Sequence, residues 1–274
     1  MAELSAAPPV DFKRVTVELA GARLTIEVGG KGRPIVLLHS LLADRTSFES
    51  VAAPLAATHQ VHALNLPGFD GSDFVEGGLE AVADRVAQAL KSLHLAQPAI
   101  LLGNGYGGFV ALLIAIRHPQ LVQRLVLADC GAAFSDAGRA AFRGMSAAAE
   151  KGGLAAIADV AMRRLFAPDY QALHPDLIAL RKQSFLSLDL RTFHSACEAL
   201  ATLDLRAQLA SVRVPVLVLV GEMDEATPPP MSRELAAGLP DARLVVLSGC
   251  AHVPQLQAPQ LFLSTIAEFI ASPS

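Results

Sequence analysis

The stretch AILLGNGYGGFVALLIAIRHP is the place in this chain best suited to chemistry. A buried-type apolar run enters Gly103-Asn104-Gly105-Tyr106-Gly107-Gly108 and leaves as helix-like sequence, with Pro119 placed to stop the helix. A strand-to-helix turn flanked by glycines is the setting in which G-x-S-x-G lifts a nucleophilic serine above the end of a sheet. The glycines allow strand and helix to approach with no side chain between them. Here the central residue is Gly105, which has no oxygen with which to form an acyl-enzyme. The same six residues also satisfy G-x-G-x-x-G, the dinucleotide fingerprint. That motif ordinarily opens the first strand-helix unit and has an acid about twenty residues further on. This turn instead follows several strands, and Asp129 comes late for that role.

Two later strand ends carry complementary groups. VPVLVLVGEMD ends at Asp224 before the turn sequence EATPPP, and ARLVVLSGCAHVPQLQAP places His252 in the loop ahead of the last helix. In this order the acid holds the imidazole in one tautomer and the imidazole serves as general base. Singly, Asp224 is a turn aspartate and His252 one of eight histidines; jointly they form a constellation. Asp129 also ends a strand and is the alternative acid. The fourth piece is LLHSLLADRTSFE, where a strand ends in His39-Ser40. The backbone N–H groups of Leu41 and Tyr106 are the expected oxyanion donors, each typically worth about 3 kcal/mol in the transition state. Ser40 and His39 fall on the same side, where a ligand would be bound. Cys130 and Cys250 make poor substitute nucleophiles, since a cysteine in such a place is more often buried packing. Arg163, Arg164, Arg181 and Arg191 could meet a carboxylate substrate, although each taken alone reads as a solvated helix face. Phe109, Leu42 and Met145 are candidates for a pocket wall, with ordinary core packing the simpler account.

The elements that must position these groups alternate. Residues 15–28 read as a hairpin around Ala20-Gly21-Ala22. Continuous apolar runs follow at 34–40, 60–67, 99–104, 124–130, 214–224 and 242–249, of the kind buried in a parallel sheet. Helix-like segments lie between them, the first with Ser47 as a candidate cap. Strands alternating with helices predict right-handed crossovers and an α/β fold with a mostly parallel sheet covered on both faces. Between Cys130 and Val214 there is no strand-like run, only helical sequence such as LAAIADVAMRRLF. The expected organisation is therefore an α/β core of residues 1–132 and 212–274, with a helical cap at 133–211.

Composition narrows the class. With 52% hydrophobic and only 18% charged residues, the chain has the material for a large core rather than for disorder. A net charge of -4 and no basic run give no footprint for nucleic acid. No apolar run reaches the ~18 residues that suggest a membrane span, and MAELSAAPPVDFKR lacks the apolar region of a secretory signal. Three widely spaced cysteines match no metal pattern and read as reduced thiols. A soluble cytoplasmic protein with a short flexible head is the expectation; oligomeric state is left open.

At these residues the sequence resembles the α/β-hydrolase superfamily over nearly its whole length. The block CEALATLDLRAQLASVRVPVLVLVGEMDEATPPPMSRELAAGLPDARLVVLSGCAHVPQLQAPQLF is similar to 3-oxoadipate enol-lactonases and to neighbouring carboxylesterase and meta-cleavage-product hydrolase branches, and HSLLADRTSFE and NLPGFDGSD fit the same group. The resemblance implies an eight-stranded sheet, a helical cap after the sixth strand, and serine-hydrolase chemistry on a small ester, lactone or related carbonyl substrate without metal or cofactor. It carries Asp224 and His252 over as acid and base, and Leu41 and Tyr106 as oxyanion donors. Two departures stand out: Gly105 at the nucleophile position, and no Trp in a chain whose enol-lactonase relatives use aromatic residues in the cap. Three accounts of Gly105 are open at this point. It is an introduced replacement that traps substrate, or the mark of a natural pseudo-enzyme that binds a small ligand. The third account has the His252–Asp224 dyad acting alone as a base, in a lyase-type or cofactor-free oxygenase-type reaction or on water.

Overall fold

The structure, a computed structural model, describes residues 10–272; the head expected at the N-terminus lies outside them as far as residue 9. The hairpin forms as β1 (Lys13–Leu19) and β2 (Ala22–Gly29), closed at Ala20-Gly21 with Gly21 at φ +77°. Six further strands follow: β3 (Arg33–Leu38), β4 (His59–Leu64), β5 (Ala99–Asn104), β6 (Val122–Ala128), β7 (Val216–Gly221) and β8 (Ala242–Leu247). They form one eight-stranded sheet in the order β1-β2-β4-β3-β5-β6-β7-β8. The pairs β1·β2 and β2·β4 are antiparallel, and all other pairs are parallel.

The continuous apolar texture of the strands has a direct cause: successive side chains enter different cores. Val36, Leu38, Leu125, Leu127, Val216 and Val218 belong to the core on one face. Ile35, Leu37, Val126, Ala128, Leu217 and Leu219 belong to the core on the other. Helices α1 (Glu49–Ala56), α2 (Gly78–Ser92) and α3 (Tyr106–Arg117) follow β3, β4 and β5. Helix α2 buries Leu79, Val82, Ala83, Val86 and Leu90, the i, i+3, i+4 stripe of an amphipathic helix. Helix α3 is buried all round from Tyr106 to Ala115, as expected of a helix held between sheet and overlying elements. It stops at Arg117 ahead of Pro119, because the residue before a proline disfavours the helical conformation.

Between β6 and β7 come α4 (Asp136–Gly152), α5 (Ala158–Leu165), α6 (Pro168–Leu173), α7 (Pro175–Leu186) and α8 (Leu190–Thr202). The two roots of this insert meet at the Ala133–Asp204 bridge. The Arg139 guanidinium donates to the carbonyls of Phe134, Ala201 and Leu203 and so ties both roots together. On the far side Arg181 donates to Thr46 Oγ1 at 2.6 Å and lies 3.6 Å from Asp44, while Ser184 also meets Asp44. The chain closes with α9 (Pro229–Gly238), the short α10 (Pro254–Gln257) and α11 (Pro259–Ala271). No helix among the described residues is long and apolar enough to cross a membrane.

One local expectation is corrected. Ser47 does not cap the first helical segment: Asp44 does, accepting from the Thr46 N–H at 2.9 Å at the start of a 3₁₀ turn over Arg45–Phe48. Ser47 lies inside that turn with its hydroxyl buried.

Candidate active site

The turn between β5 and α3 has the conformation its glycines anticipate. Gly105 sits at φ 53°, ψ -118°, a backbone state that L side chains rarely adopt and glycine enters at little cost. Its neighbours are fixed by contact. A Cβ on Gly107 would lie 2.1 Å from the Leu38 carbonyl oxygen, and one on Gly103 would lie 2.2 Å from the Gly107 carbonyl oxygen. Instead the Gly107 N–H donates to the His39 carbonyl at 3.0 Å, which seats the start of α3 on the loop after β3.

Three separate strand ends converge on this turn. His252 Nδ1 is 2.9 Å from Asp224 Oδ2, with both side chains almost fully buried. An ideal Cβ on Gly105 would stand 2.7 Å from His252 Nε2, so the imidazole faces the turn centre at close range. Asp224 is itself held: the N–H groups of Ala226 and Thr227 donate to Oδ1 at 2.7 and 3.1 Å, and Thr227 Oγ1 donates to Oδ2 at 2.7 Å. Burial alone would raise the Asp224 pKa, but the opposing charge of His252 and the hydrogen bonds from His252 and Thr227 outweigh it and bring the carboxyl down to about 2. With Nδ1 donating to the carboxylate, the Nε2 lone pair is directed to the cavity side, the arrangement of a general base.

Asp129 is close but plays another part. Its Oδ1 accepts from the Gly221 N–H at 2.8 Å and its Oδ2 from Asn104 Nδ2 at 3.4 Å. The donor atoms of Asp129, Asp224 and His252 lie within 4.8 Å of one another, yet the imidazole pairs with Asp224. Burial, reinforced by the Asp224 charge, pushes the Asp129 carboxyl well above the carboxylate range, so it holds its proton. Asn104, between Gly103 and Gly105 in the turn, donates to the His252 carbonyl at 2.8 Å and accepts from Gln255 Nε2 at 3.0 Å. The base loop is thereby bolted to the turn.

A narrow apolar cavity of about 30 Å³ opens above these groups, lined by Leu41, Tyr106, Gly105, His252, Ser40 and Thr227 on the floor and by Phe142, Met145, Arg164 and Leu200 from the insert. That is room for a water or two. Leu42, Phe109 and Met145 are both wall and core. Tyr106 is the first residue of α3, so its N–H has no acceptor within the helix and points out of its N-terminus. Ser40 Oγ lies 3.3 Å from His252 Nε2, nearer the base than its expected ligand-holding place implies.

His39 is corrected. It is fully buried away from the cavity, Nδ1 donating to the Ser40 carbonyl at 2.9 Å and Nε2 accepting from the Leu66 N–H at 3.1 Å. Burial pushes its pKa down to about 4, so it is a neutral structural clamp with both nitrogens engaged. Of the four arginines, only Arg164 reaches the cavity. Arg163 is exposed, Arg191 lies 4.2 Å over the Phe74 ring, and Arg181 is committed to the Asp44 loop. The three thiols are buried and free, with pKa values raised by burial. Thr227 and Asn104 were not anticipated. The Asp-x-x-Thr spacing of an Asx turn was the available signal for Thr227, whereas Asn104 had none.

Fold and site together define an α/β-hydrolase. The family described as the alpha/beta hydrolase fold matches residues 33–259, and the chain belongs to it. It is 32% identical over 262 residues to a pimeloyl-[acyl-carrier protein] methyl ester esterase of Neisseria meningitidis, covering 87% of this chain and 93% of the relative. Among solved structures it is similar to the enol-lactonase from Burkholderia xenovorans LB400, with 26% identity, a TM-score of 0.89, and 94% and 100% of the two chains covered. A thermophilic esterase from Thermogutta terrifontis matches at 27% identity with a TM-score of 0.85, over 94% and 98% of the two chains.

The geometry sets two expectations for stability. The folded chain retains the Asp129 proton at pH values where the unfolded chain has released it, near 3.9. Stability is therefore whole below that value and falls as pH rises toward the folded pKa. Relative to the parent, Asp129→Asn should gain stability between pH 4 and 7; a difference in urea midpoint that does not change with pH would rule this out. Separately, a serine at 105 would place Cβ 2.6 Å from Ser40 Oγ as well as 2.7 Å from His252 Nε2. Gly105→Ser should then cost about 1–3 kcal/mol by overpacking and backbone strain, and Ser40→Gly in the same chain should recover part of it. Strict additivity in the double-mutant cycle would show that the two residues do not compete for space.

Proposed function

We propose that this α/β-hydrolase cleaves a small carboxylic ester or lactone, with His252 as general base, Asp224 as the acid that orients it, and the Leu41 and Tyr106 N–H groups as oxyanion donors. The observation that carries the proposal is the approach of His252 Nε2 to within 2.7 Å of the missing Cβ at Gly105, with Nδ1 anchored on Asp224. The base stands where a nucleophile's proton would be taken, although residue 105 supplies no nucleophile. A carbonyl carbon placed over the turn would have its oxygen in the donor pocket and its attackable face toward Nε2. The names of the relatives, an esterase and an enol-lactonase among them, support the same bond class.

The substrate class follows from the walls. The insert acts as a cap, and its Phe142 and Met145 leave little free volume. A short apolar acyl group is therefore favoured, entering as the unbranched Met145 side chain turns aside. Arg164 borders the cavity, its guanidinium stacked 5.8 Å from the Phe142 ring and in no ion pair among the described residues. An anionic group at the far end of the substrate matches it. No metal or cofactor is required for this chemistry, and three buried thiols suit a reducing cytoplasmic setting.

With p-nitrophenyl esters as substrates, His252→Ala should lower kcat/KM by about 100-fold or more. Turnover that persists within a few-fold would remove the dyad from the reaction. Arg164→Gln should penalise an ester ending in a carboxylate by about 10-fold or more relative to a neutral ester of equal length, since a charge-assisted hydrogen bond is worth about 1.5–3 kcal/mol. An equal loss for both esters would assign Arg164 to packing alone.

A further inference from the structure

The missing side chain at residue 105 is replaced from the opposite wall. The Ser40 hydroxyl occupies the space beside the turn centre, 2.6 Å from where a Cβ on Gly105 would lie and 3.3 Å from His252 Nε2. We propose that Ser40 is the nucleophile of this site, so that Ser40–His252–Asp224 forms a hydrolytic triad whose serine comes from the loop after β3 instead of from the elbow. The inference rests on the dyad reading above and adds to it the identity of the attacking atom.

Position, rigidity and the absence of a competitor support the assignment. Ser40 lines the cavity, and its backbone is immobilised. Its carbonyl accepts from His39 Nδ1 and from the Ala43 N–H, while the preceding carbonyl accepts from the Gly107 N–H. The loop is thus tied to the helix that follows the elbow. His252 Nδ1 pairs with Asp224, which leaves Nε2 to accept the Ser40 proton. Leu41 directly follows Ser40 just as Tyr106 directly follows Gly105, so moving the nucleophile from one loop to the other keeps one oxyanion donor adjacent to it and the second opposite. Two other hydroxyl-bearing residues line the cavity: Thr227 donates to Asp224, and Tyr106 is a phenol whose pKa is raised by burial, while no cysteine lines the cavity.

The chemistry balances without an added reagent. Ser40 Oγ bonds to the ester carbonyl carbon as its proton passes to His252 Nε2, and the carbonyl π electrons move onto the oxygen held by the two N–H groups. Collapse of this intermediate breaks the carbon–alkoxide bond, and the leaving alkoxide takes the proton from Nε2 as the alcohol. Water, deprotonated by His252, then attacks the acyl-Ser40 ester; the carboxylic acid departs and Ser40 regains its proton.

The test treats the full-length protein with a fluorophosphonate, which loses fluoride as it bonds to an activated serine oxygen, and maps the adduct by peptide mass spectrometry. The expected result is one adduct on Ser40, absent from Ser40→Ala and His252→Ala. Ser40→Ala should lose ester turnover by on the order of 10³-fold or more, and Ser40→Cys should recover a burst of p-nitrophenol near one equivalent. No adduct on Ser40 at saturating probe, or an adduct on another residue, overturns the proposal whatever the variants' rates. Turnover retained in Ser40→Ala but lost in His252→Ala also overturns it, assigning the attack to water while leaving the dyad intact. Turnover unaffected by both substitutions removes the dyad reading as well.

Discussion

The contact on which the site depends is the seating of Gly107 against the end of β3. Its Cα lies so near the Leu38 carbonyl that any Cβ would stand 2.1 Å away, and its N–H is taken by the His39 carbonyl at 3.0 Å. That single close approach fixes the N-terminus of α3 relative to the loop that carries Ser40 and Leu41. The two candidate oxyanion N–H groups, on residues from opposite sides of the cavity, owe their common orientation to it. Glycine is demanded there by backbone atoms that have no freedom to yield. At Gly105, by contrast, the nearest atoms are the ends of side chains, Ser40 Oγ and His252 Nε2.

The groups behind the imidazole are arranged to permit one ionised carboxylate and no more. Asp224 receives two backbone N–H groups, a threonine hydroxyl and the ring, and stays ionised. Asp129, buried beside it, cannot also ionise without placing two like charges in a low-dielectric region, and it keeps its proton. Neutral Asp129 still braces the site, because it accepts from the Gly221 N–H at the end of β7 and from Asn104 at the end of β5. Asn104 in turn holds the His252 carbonyl. The polar network therefore joins the ends of four parallel strands, β5 to β8, and at its centre the ring is fixed from both its backbone and its Nδ1 side.

Much of this was legible in the chain. The strands were readable because each parallel strand buries both faces, which produces uninterrupted apolar runs ending at Leu38, Asn104, Ala128 and Gly221. The candidate site residues were readable because they lie within a few residues of those ends and of Leu247, the end of β8. His39 misled for the same reason: it also follows a strand end, but both its nitrogens meet backbone groups, the distant Leu66 among them. No local pattern signals that. Ser47 misled because it precedes the helix proper, whereas the free backbone donor is the Thr46 N–H, which Asp44 satisfies at the start of the tighter 3₁₀ turn. The relation of Ser40 to Gly105 was hidden because it is a distance between two loops far apart in sequence, brought together only by the glycines around them.

The turn between β5 and α3 keeps its shape with no side chain at its centre. The turn is shaped by Gly103 and Gly107 packing on backbone, by Gly108 packing on Cys130, and by the Gly105 N–H held on the Ala128 carbonyl. None of these involves a side chain at 105. Glycine adopts φ 53° without the strain that this conformation imposes on other residues, so a residue with no side-chain oxygen suits the backbone here. The space beside Gly105 is filled, as close-packed interiors require: a hydroxyl and an imidazole nitrogen both lie where a Cβ at 105 would meet them. In that arrangement the imidazole has a hydroxyl neighbour, with Ser40 Oγ 3.3 Å from His252 Nε2, and the packing that shapes the turn also sets this distance.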